Sequence, residues 1–128
     1  MKPIILLLTM SFLNATVLFA QTPEDSVKAV VNRLFAGMKN ADAEMMKSIF
    51  ADSAKLQTIS RDKQGNTIVR NENLADFINF LGKQSKGAAD ERIEFKTVLS
   101  DGALAMAWTP YQFYFNGKFS HCGVTHFN

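Results

Sequence analysis

Four side chains with stacking or hydrogen-bonding chemistry lie in two neighbouring runs of alternating aromatic and polar residues. Trp108, Gln112 and Tyr114 belong to the first run, and His121 belongs to the second. An indole can stack on a flat ring, and an amide can hold a carbonyl or amide edge. An imidazole can exchange a proton near neutral pH. Such groups among apolar neighbours are typical of a small-molecule site, so we expect these residues to bind a ligand, with His121 as the candidate acid or base.

His121 and Trp108 also have purely structural interpretations. His121 could bond Gln112 or a backbone carbonyl and only satisfy the core, and Trp108 could be a core residue. Cys122 is the only cysteine, so it cannot form an internal disulfide. It follows His121 in an alternating strand and is expected on the opposite face, which argues against a Cys–His nucleophile. No cluster has metal-ligand spacing, so the sequence predicts neither a metal site nor a cofactor.

Tight turns set which of these residues share a face of the sheet. Asn116-Gly117 lies between the two runs, and both residue types tolerate the positive φ of a type I′ turn. A two-residue loop there places Gln112 opposite His121, and opposed residues share a face. A second tight turn is expected at Asp101-Gly102. The candidate ligand-binding residues are therefore predicted on one face, unless a bulge near Pro110 reverses the order.

Charged residues in the preceding strand indicate which face is solvated. Arg92, Glu94 and Lys96 alternate with apolar residues and must contact water, so their face is expected to be the outer one. The same face then carries three exposed aromatic residues, namely Tyr111, Phe113 and Phe115. An exposed aromatic patch is typical of a partner surface, and we expect a homodimer through it. No Asp or Glu is expected on the inner face of the long strands.

About three helices precede the long strands. Thr22-Pro23-Glu24-Asp25 combines a capping residue, a proline and two acids, which is typical of a helix start. A second helix is predicted from Ala43 to Phe50, and a third ends near Gly82. Two short polar strands lie between these last two helices. Helices segregated from strands predict an α+β domain with the helices on one face of a curved antiparallel sheet.

The first twenty residues have the pattern of a secretory signal. Lys2 precedes an apolar run that continues to Ala20, a small residue suited to cleavage before Gln21. We expect an exported protein whose domain is residues 21–128, without membrane contact after cleavage; the alternative is a retained anchor. The formal net charge is +2 and no basic run exceeds two residues, which predicts no nucleic-acid partner.

Two segments of the chain resemble the nuclear transport factor 2-like superfamily. They are Phe50-Ala51-Asp52-Ser53-Ala54-Lys55-Leu56 and the run from Trp108 to Gly123, which holds Trp-x-Pro-Tyr-x-Phe-Tyr and Gly-x-Phe-Ser-His-Cys-Gly. The second segment is similar to a group of small, often exported bacterial proteins named for lumazine binding. The resemblance implies a cone-like α+β barrel with an internal pocket, and frequently a dimer formed through the sheets. Members of the group continue into another strand after this hairpin, so we expect the last C-terminal strand to be absent here.

Three functions follow from these observations. The first is an exported domain that binds a small apolar or heteroaromatic molecule in an aromatic-lined pocket. The second is an enzyme similar to the SnoaL-like cyclases and ketosteroid isomerases, acting on a small carbonyl compound with His121 as base and Tyr114 or Gln112 as donor. The third is an interaction module that dimerises through the outer face of its sheet.

Overall fold

The structure, a computed structural model, describes residues 21–128, so the predicted signal segment lies outside the described residues. Its three helices are α1 (Pro23–Asn40), α2 (Ala43–Lys47) and α3 (Leu74–Gly82). Its six strands are β1 (Leu56–Arg61), β2 (Thr67–Glu72), β3 (Ala89–Ile93), β4 (Thr97–Asp101), β5 (Leu104–Phe115) and β6 (Lys118–Phe127). The α+β prediction is confirmed.

Local capping residues start each helix. Thr22, Asp42 and Asn73 each accept, through a side-chain oxygen, a hydrogen bond from the backbone N–H three residues ahead, at 2.9 to 3.1 Å. These bonds satisfy N–H groups that have no partner within the helix. Gly37 lets α2 approach α1, because a Cβ at this position would lie 2.8 Å from Cγ of Met46.

The longest strand, β5, forms the centre of the main antiparallel sheet. β3 pairs with its C-terminal half and β4 with its N-terminal half, both along one edge, and β6 pairs along the other edge. β1 and β2 form a separate two-stranded hairpin. The turn at Asn116 and Gly117 has φ values of 49° and 76°, so this predicted tight turn is confirmed. The earlier turn lies at residues 102–103, because Asp101 pairs directly with Leu104.

Two irregularities shift the register of this sheet. Ile93 opposes Tyr111 whereas Thr97 opposes Trp108, so the β3–β4 edge has one more residue than β5 between these pairs. This is the residue count of a β-bulge, and it changes which face the later side chains occupy. No bulge occurs at Pro110, the position where the sequence suggested one.

A second bulge lies in β6. Phe113 opposes His121 while Tyr114 opposes Phe119, which leaves Ser120 as the extra residue. The predicted pairing of Gln112 with His121 is therefore wrong, since Gln112 opposes Cys122. A single inserted residue moved the imidazole to the other face of the sheet.

The helices pack on the face that carries the odd-numbered residues of β5. Ala107 and Thr109 are fully buried there, whereas Leu104 and Trp108 on the other face are 71% and 43% exposed. The buried hydrophobic core, to which all three helices contribute, consists of Val31, Leu34, Phe35, Met38, Met46, Ile78, Leu81, Ala89 and Ala107. We call the helix-facing side the concave face and the other side the convex face.

The inner and outer faces are thus the reverse of those predicted for β5. Arg92 lies on the solvated face, as expected, but the bulge after Ile93 places it opposite Gln112. The predicted register had placed Arg92 on the face of Tyr111. The expectation that Arg92 contacts solvent is correct. The faces of β5 were predicted wrongly because the alternation was continued through residues 94–96 without an extra residue.

Candidate functional site

The predicted ligand-binding residues are divided between the two faces. Trp108, Gln112 and Tyr114 lie on the convex face, and the Tyr114 hydroxyl lies 3.2 Å from Oε1 of Gln112, to which it donates. The Arg92 guanidinium lies 4.0 Å from the centre of the Tyr114 ring. His121 lies on the concave face, so the prediction that it shares a face with the other three residues is wrong. A ligand-binding role for each residue stays a prediction.

An aromatic cluster occupies the concave face instead. It consists of Tyr111, Phe113, Phe115 and His121, and we call it the concave aromatic cluster. The His121 ring lies 5.7 Å from that of Tyr111, edge to face, and 5.2 Å from that of Phe113. The three larger aromatic side chains are half-buried and His121 is exposed. The residues predicted as an outer partner surface therefore line the helix-facing side.

An acidic side chain that the sequence analysis missed lies beside this cluster. Glu91 of β3 opposes Phe113 of β5, so both residues share the concave face. Burial raises the pKa of the Glu91 carboxyl to about 7 from its ordinary value of 4.5. Burial, and then the negative charge of Glu91, raise the pKa of the Tyr111 hydroxyl. The expectation that no acid would lie on the inner face is wrong.

The basic residues nearest to Glu91 along the chain and on α1 are engaged elsewhere. Lys39 Nζ lies 2.9 Å from Asp90 Oδ1, and Arg92 Nε lies 3.0 Å from Asp90 Oδ2. The bond from Lys39 is the main cause that lowers the pKa of the Asp90 carboxyl. No ion pair within residues 21–128 involves Glu91. The half-buried carboxyl of Glu91 therefore has no compensating positive charge.

Three strands bring the polar groups of the concave face into one row. Glu91 opposes Phe113, and Phe113 opposes His121. Because neighbouring strands lie about 4.8 Å apart, the backbones that carry the carboxyl and the imidazole are roughly 10 Å apart. The Ser120 hydroxyl lies 3.0 Å from Nδ1 of His121, within hydrogen-bond distance of that ring nitrogen.

Gly123 supports the position of the Tyr111 ring in the next row. These two residues oppose each other, and a Cβ at Gly123 would lie 2.8 Å from the Tyr111 Oη. The phenol therefore extends over β6 where no side chain occupies the space. This arrangement directs the hydroxyl of Tyr111 toward the strand that carries His121.

Other parts of the described chain carry less chemistry. A cleft of about 370 Å³ lies between the β1–β2 hairpin and α3, and its lining includes Leu56, Thr58, Phe77 and Phe80. Cys122 is an exposed free thiol. Across residues 21–128, no three His, Cys, Asp or Glu side chains are grouped as metal ligands are. None of the helices in this part of the chain is both long and apolar enough to cross a bilayer.

Comparison with known proteins supports the architecture. A crystal structure of an NTF2-like protein of unknown function from Shewanella baltica OS155 matches with a TM-score of 0.50 and 13% sequence identity, covering 80% of this chain and 90% of that chain. No family model matches the chain, and no curated protein matches it. Three helices on a curved antiparallel sheet define an α+β cone. This cone is the nuclear transport factor 2-like fold that the resemblance implied, and likeness at this identity shows the fold alone.

Proposed function

We propose that the domain binds a small apolar or heteroaromatic molecule on its concave face. The observation that carries this proposal is the concave aromatic cluster, which lies beside the half-buried carboxyl of Glu91, a carboxyl without a charged partner. Ligand sites combine apolar walls with a few convergent polar groups, and here those groups are Glu91, Tyr111 and His121. The resemblance to the group named for lumazine binding agrees with a flat heteroaromatic ligand. The proposed site keeps His121 from the sequence prediction and replaces its other members.

A pair of matched substitutions tests this proposal. Phe113→Leu and Trp108→Leu each remove one aromatic ring, but from opposite faces of the same strand. Binding of one- and two-ring heteroaromatic compounds should be weakened by Phe113→Leu and left unchanged by Trp108→Leu, measured by calorimetry. The reverse pattern would favour the convex residues Trp108, Gln112 and Tyr114. Absence of binding by every compound would remove the proposed function.

A second candidate function is general acid–base catalysis on a small carbonyl compound. The raised pKa of Glu91 favours it, because a base whose pKa lies near the working pH is the most effective. Glu91 would be the base and Tyr111 the donor to the developing oxyanion, in place of the predicted His121 with Tyr114 or Gln112. Deuterium exchange at the α-carbon of cyclic ketones, followed by NMR, tests this role. Exchange no faster than in buffer, or unchanged in Glu91→Gln, would exclude it.

We also propose that a second copy of the chain covers the convex face. Five large apolar residues are 43 to 71% exposed there, namely Leu99, Leu104, Trp108, Phe119 and Val124. Along β5 and β6 this face holds no Asp, Glu, Lys or Arg. An uncharged apolar surface can be self-complementary about a two-fold axis. The homodimer therefore stays a prediction. Its proposed interface consists of these five residues instead of Tyr111, Phe113 and Phe115.

Export of the chain is a further part of the proposal. It rests on the apolar run that ends at Ala20. Mass spectrometry of the protein recovered from outside the cytoplasm should give a chain that begins at Gln21. Recovery of the full 128 residues in the membrane fraction would support the retained anchor instead.

A further inference from the structure

We infer that the concave site selects a flat aromatic molecule with a positively charged nitrogen, and that the Glu91 carboxylate receives this nitrogen. The inference rests on the proposed binding function and adds the chemical class of the ligand. Three observations carry it: the charges that face the site, the environment of the carboxyl, and the row of side chains across the sheet.

The charges on this face favour a cation. Glu91 is the only acid that β3, β5 and β6 place on the concave side. The other titratable groups on this face are the Tyr111 hydroxyl, which extends over β6, the His121 imidazole, and the exposed Lys118, which opposes Phe115. Lys39 from α1 bonds Asp90 rather than Glu91. A ligand anion would place a second negative charge near Glu91, whereas a ligand cation would supply the missing counter-charge.

The surroundings of the Glu91 carboxyl offer a bound cation two favourable interactions. Glu91 is half-buried, so its ionised form lacks part of the solvation that a charge-assisted hydrogen bond from an ammonium group would replace. Phe113 lies directly opposite Glu91, and Tyr111 is its diagonal neighbour. Aromatic ring faces attract cations through their quadrupole, so the same nitrogen gains a second favourable contact.

The row of Glu91, Phe113 and His121 indicates the shape of the ligand. A flat ring system can lie on Phe113 with its cationic arm toward β3 and its other end toward the imidazole. The span of roughly 10 Å between the outer strands fits two fused rings with a one-carbon arm. His121 is exposed, so this end of the site is open to solvent.

Three probes that share a naphthyl ring system test the inference by calorimetry at pH 8. They are 2-naphthylmethylamine, which is cationic, 2-naphthylmethanol, which is neutral, and 2-naphthoate, which is anionic. The amine should bind the wild-type protein about tenfold more tightly than the alcohol, the factor expected for one hydrogen bond to a charged group. Glu91→Gln should abolish this preference, so that the variant binds the amine and the alcohol with equal affinity.

The outcomes separate the inference from the function on which it rests. Equal affinities of the amine and the alcohol in the wild type, or a preference that survives Glu91→Gln, would overturn the selection of a cation and leave binding intact. Failure of all three probes to bind would remove both. Glu91→Asp, which keeps the charge on a shorter arm, should retain part of the preference if the charge is responsible.

Proton release gives an independent readout. Near pH 7 about half of the Glu91 carboxyls are protonated, and a bound cation favours the ionised form. Binding of the amine should therefore release up to about half a proton, measured from calorimetric enthalpies in two buffers of different ionisation enthalpy. The alcohol should release none, and Glu91→Gln should release none with either probe. Release that is equal for the amine and the alcohol would contradict the inference.

Discussion

The two faces of β5 carry similar residue types but differ in what covers them. The concave side buries Ala107 and Thr109 completely, and the convex side leaves Leu104 and Trp108 largely in solvent. Both sides are rich in aromatic residues, so composition does not distinguish them. Glu91 on the concave side is desolvated, whereas Arg92 on the convex side remains exposed. Burial of an ionisable group, more than aromatic content, therefore identifies the candidate site.

The largest expected effect comes from removing the charge of Glu91. Its carboxyl has a pKa of about 7 in the folded chain and an ordinary value of 4.5, so the folded state binds more protons between these pH values. Stability contributed by the protonated form is present below pH 4.5 and is lost as the pH rises through 7. At pH 8 the loss is about 3 kcal/mol. Glu91→Gln should recover most of it, as shown by urea unfolding at pH 5 and pH 8.

The matched control for this experiment is Glu94→Gln, because Glu94 is an exposed acid close to the same strand. It should leave the difference in stability between pH 5 and pH 8 as it is in the wild type. If both variants changed the stability difference between pH 5 and pH 8 equally, the environment of Glu91 would not be its cause.

Gly123→Ala tests the packing of the Tyr111 ring on the concave face. The new methyl group would lie 2.8 Å from the Tyr111 Oη, so the ring must move, at a cost of about 1–3 kcal/mol. Chemical denaturation measures this cost. In a Tyr111→Leu background the same substitution should cost much less, because the clashing ring is absent. An equal cost in both backgrounds would contradict the placement of Tyr111 over Gly123.

The convex face should respond in its assembly and not in its fold. Leu104→Glu adds a charge at a position that is 71% exposed, so the free energy of unfolding of the monomer should change by less than about 0.5 kcal/mol. Sedimentation velocity should show the wild type as a dimer and this variant as a monomer. Leu104→Met is the control that keeps the surface apolar and should remain a dimer. A monomeric wild type would exclude the second copy as the partner of this face.

The ion pairs of Asp90 should contribute little to stability. Its pKa is lowered mainly by the bond from Lys39, so their stabilisation is present above the ordinary value of 3.8 and is lost as the pH falls below it. The Lys39 side chain is 56% exposed, so Asp90→Asn should cost less than about 1 kcal/mol at pH 7. Denaturation at high and low salt would measure it. A cost of several kcal/mol would mean that the pair helps to hold α1 on the sheet.

Local features of the chain were predictable from the sequence. Thr22 was identified as a helix cap, and Asn116-Gly117 as a tight turn, because each depends on interactions within a few residues. The α+β architecture followed from the order of these elements. The fold class could therefore be predicted once helices and strands were assigned to the correct segments.

The faces of the sheet were not predictable in the same way. The one extra residue within 94–96 and the extra Ser120 have no local signature such as a glycine or proline, and each reverses the alternation that follows it. Glu91 was missed for a different reason: it lies two residues before Ile93, so alternation alone places it on the inner face, but that face was counted only from Ile93 onward. Three of the four predicted site residues kept a common face because no bulge separates them along β5.

Intermolecular NOEs between 2-naphthylmethylamine and the protein test the concave site most directly. Binding at the concave aromatic cluster predicts contacts from the naphthyl protons to the rings of Tyr111, Phe113 and His121. It also predicts contacts from the methylene protons of the amine to the side chain of Glu91, and none to Trp108. Contacts to the indole of Trp108, without contacts to Phe113, would contradict binding on the concave face.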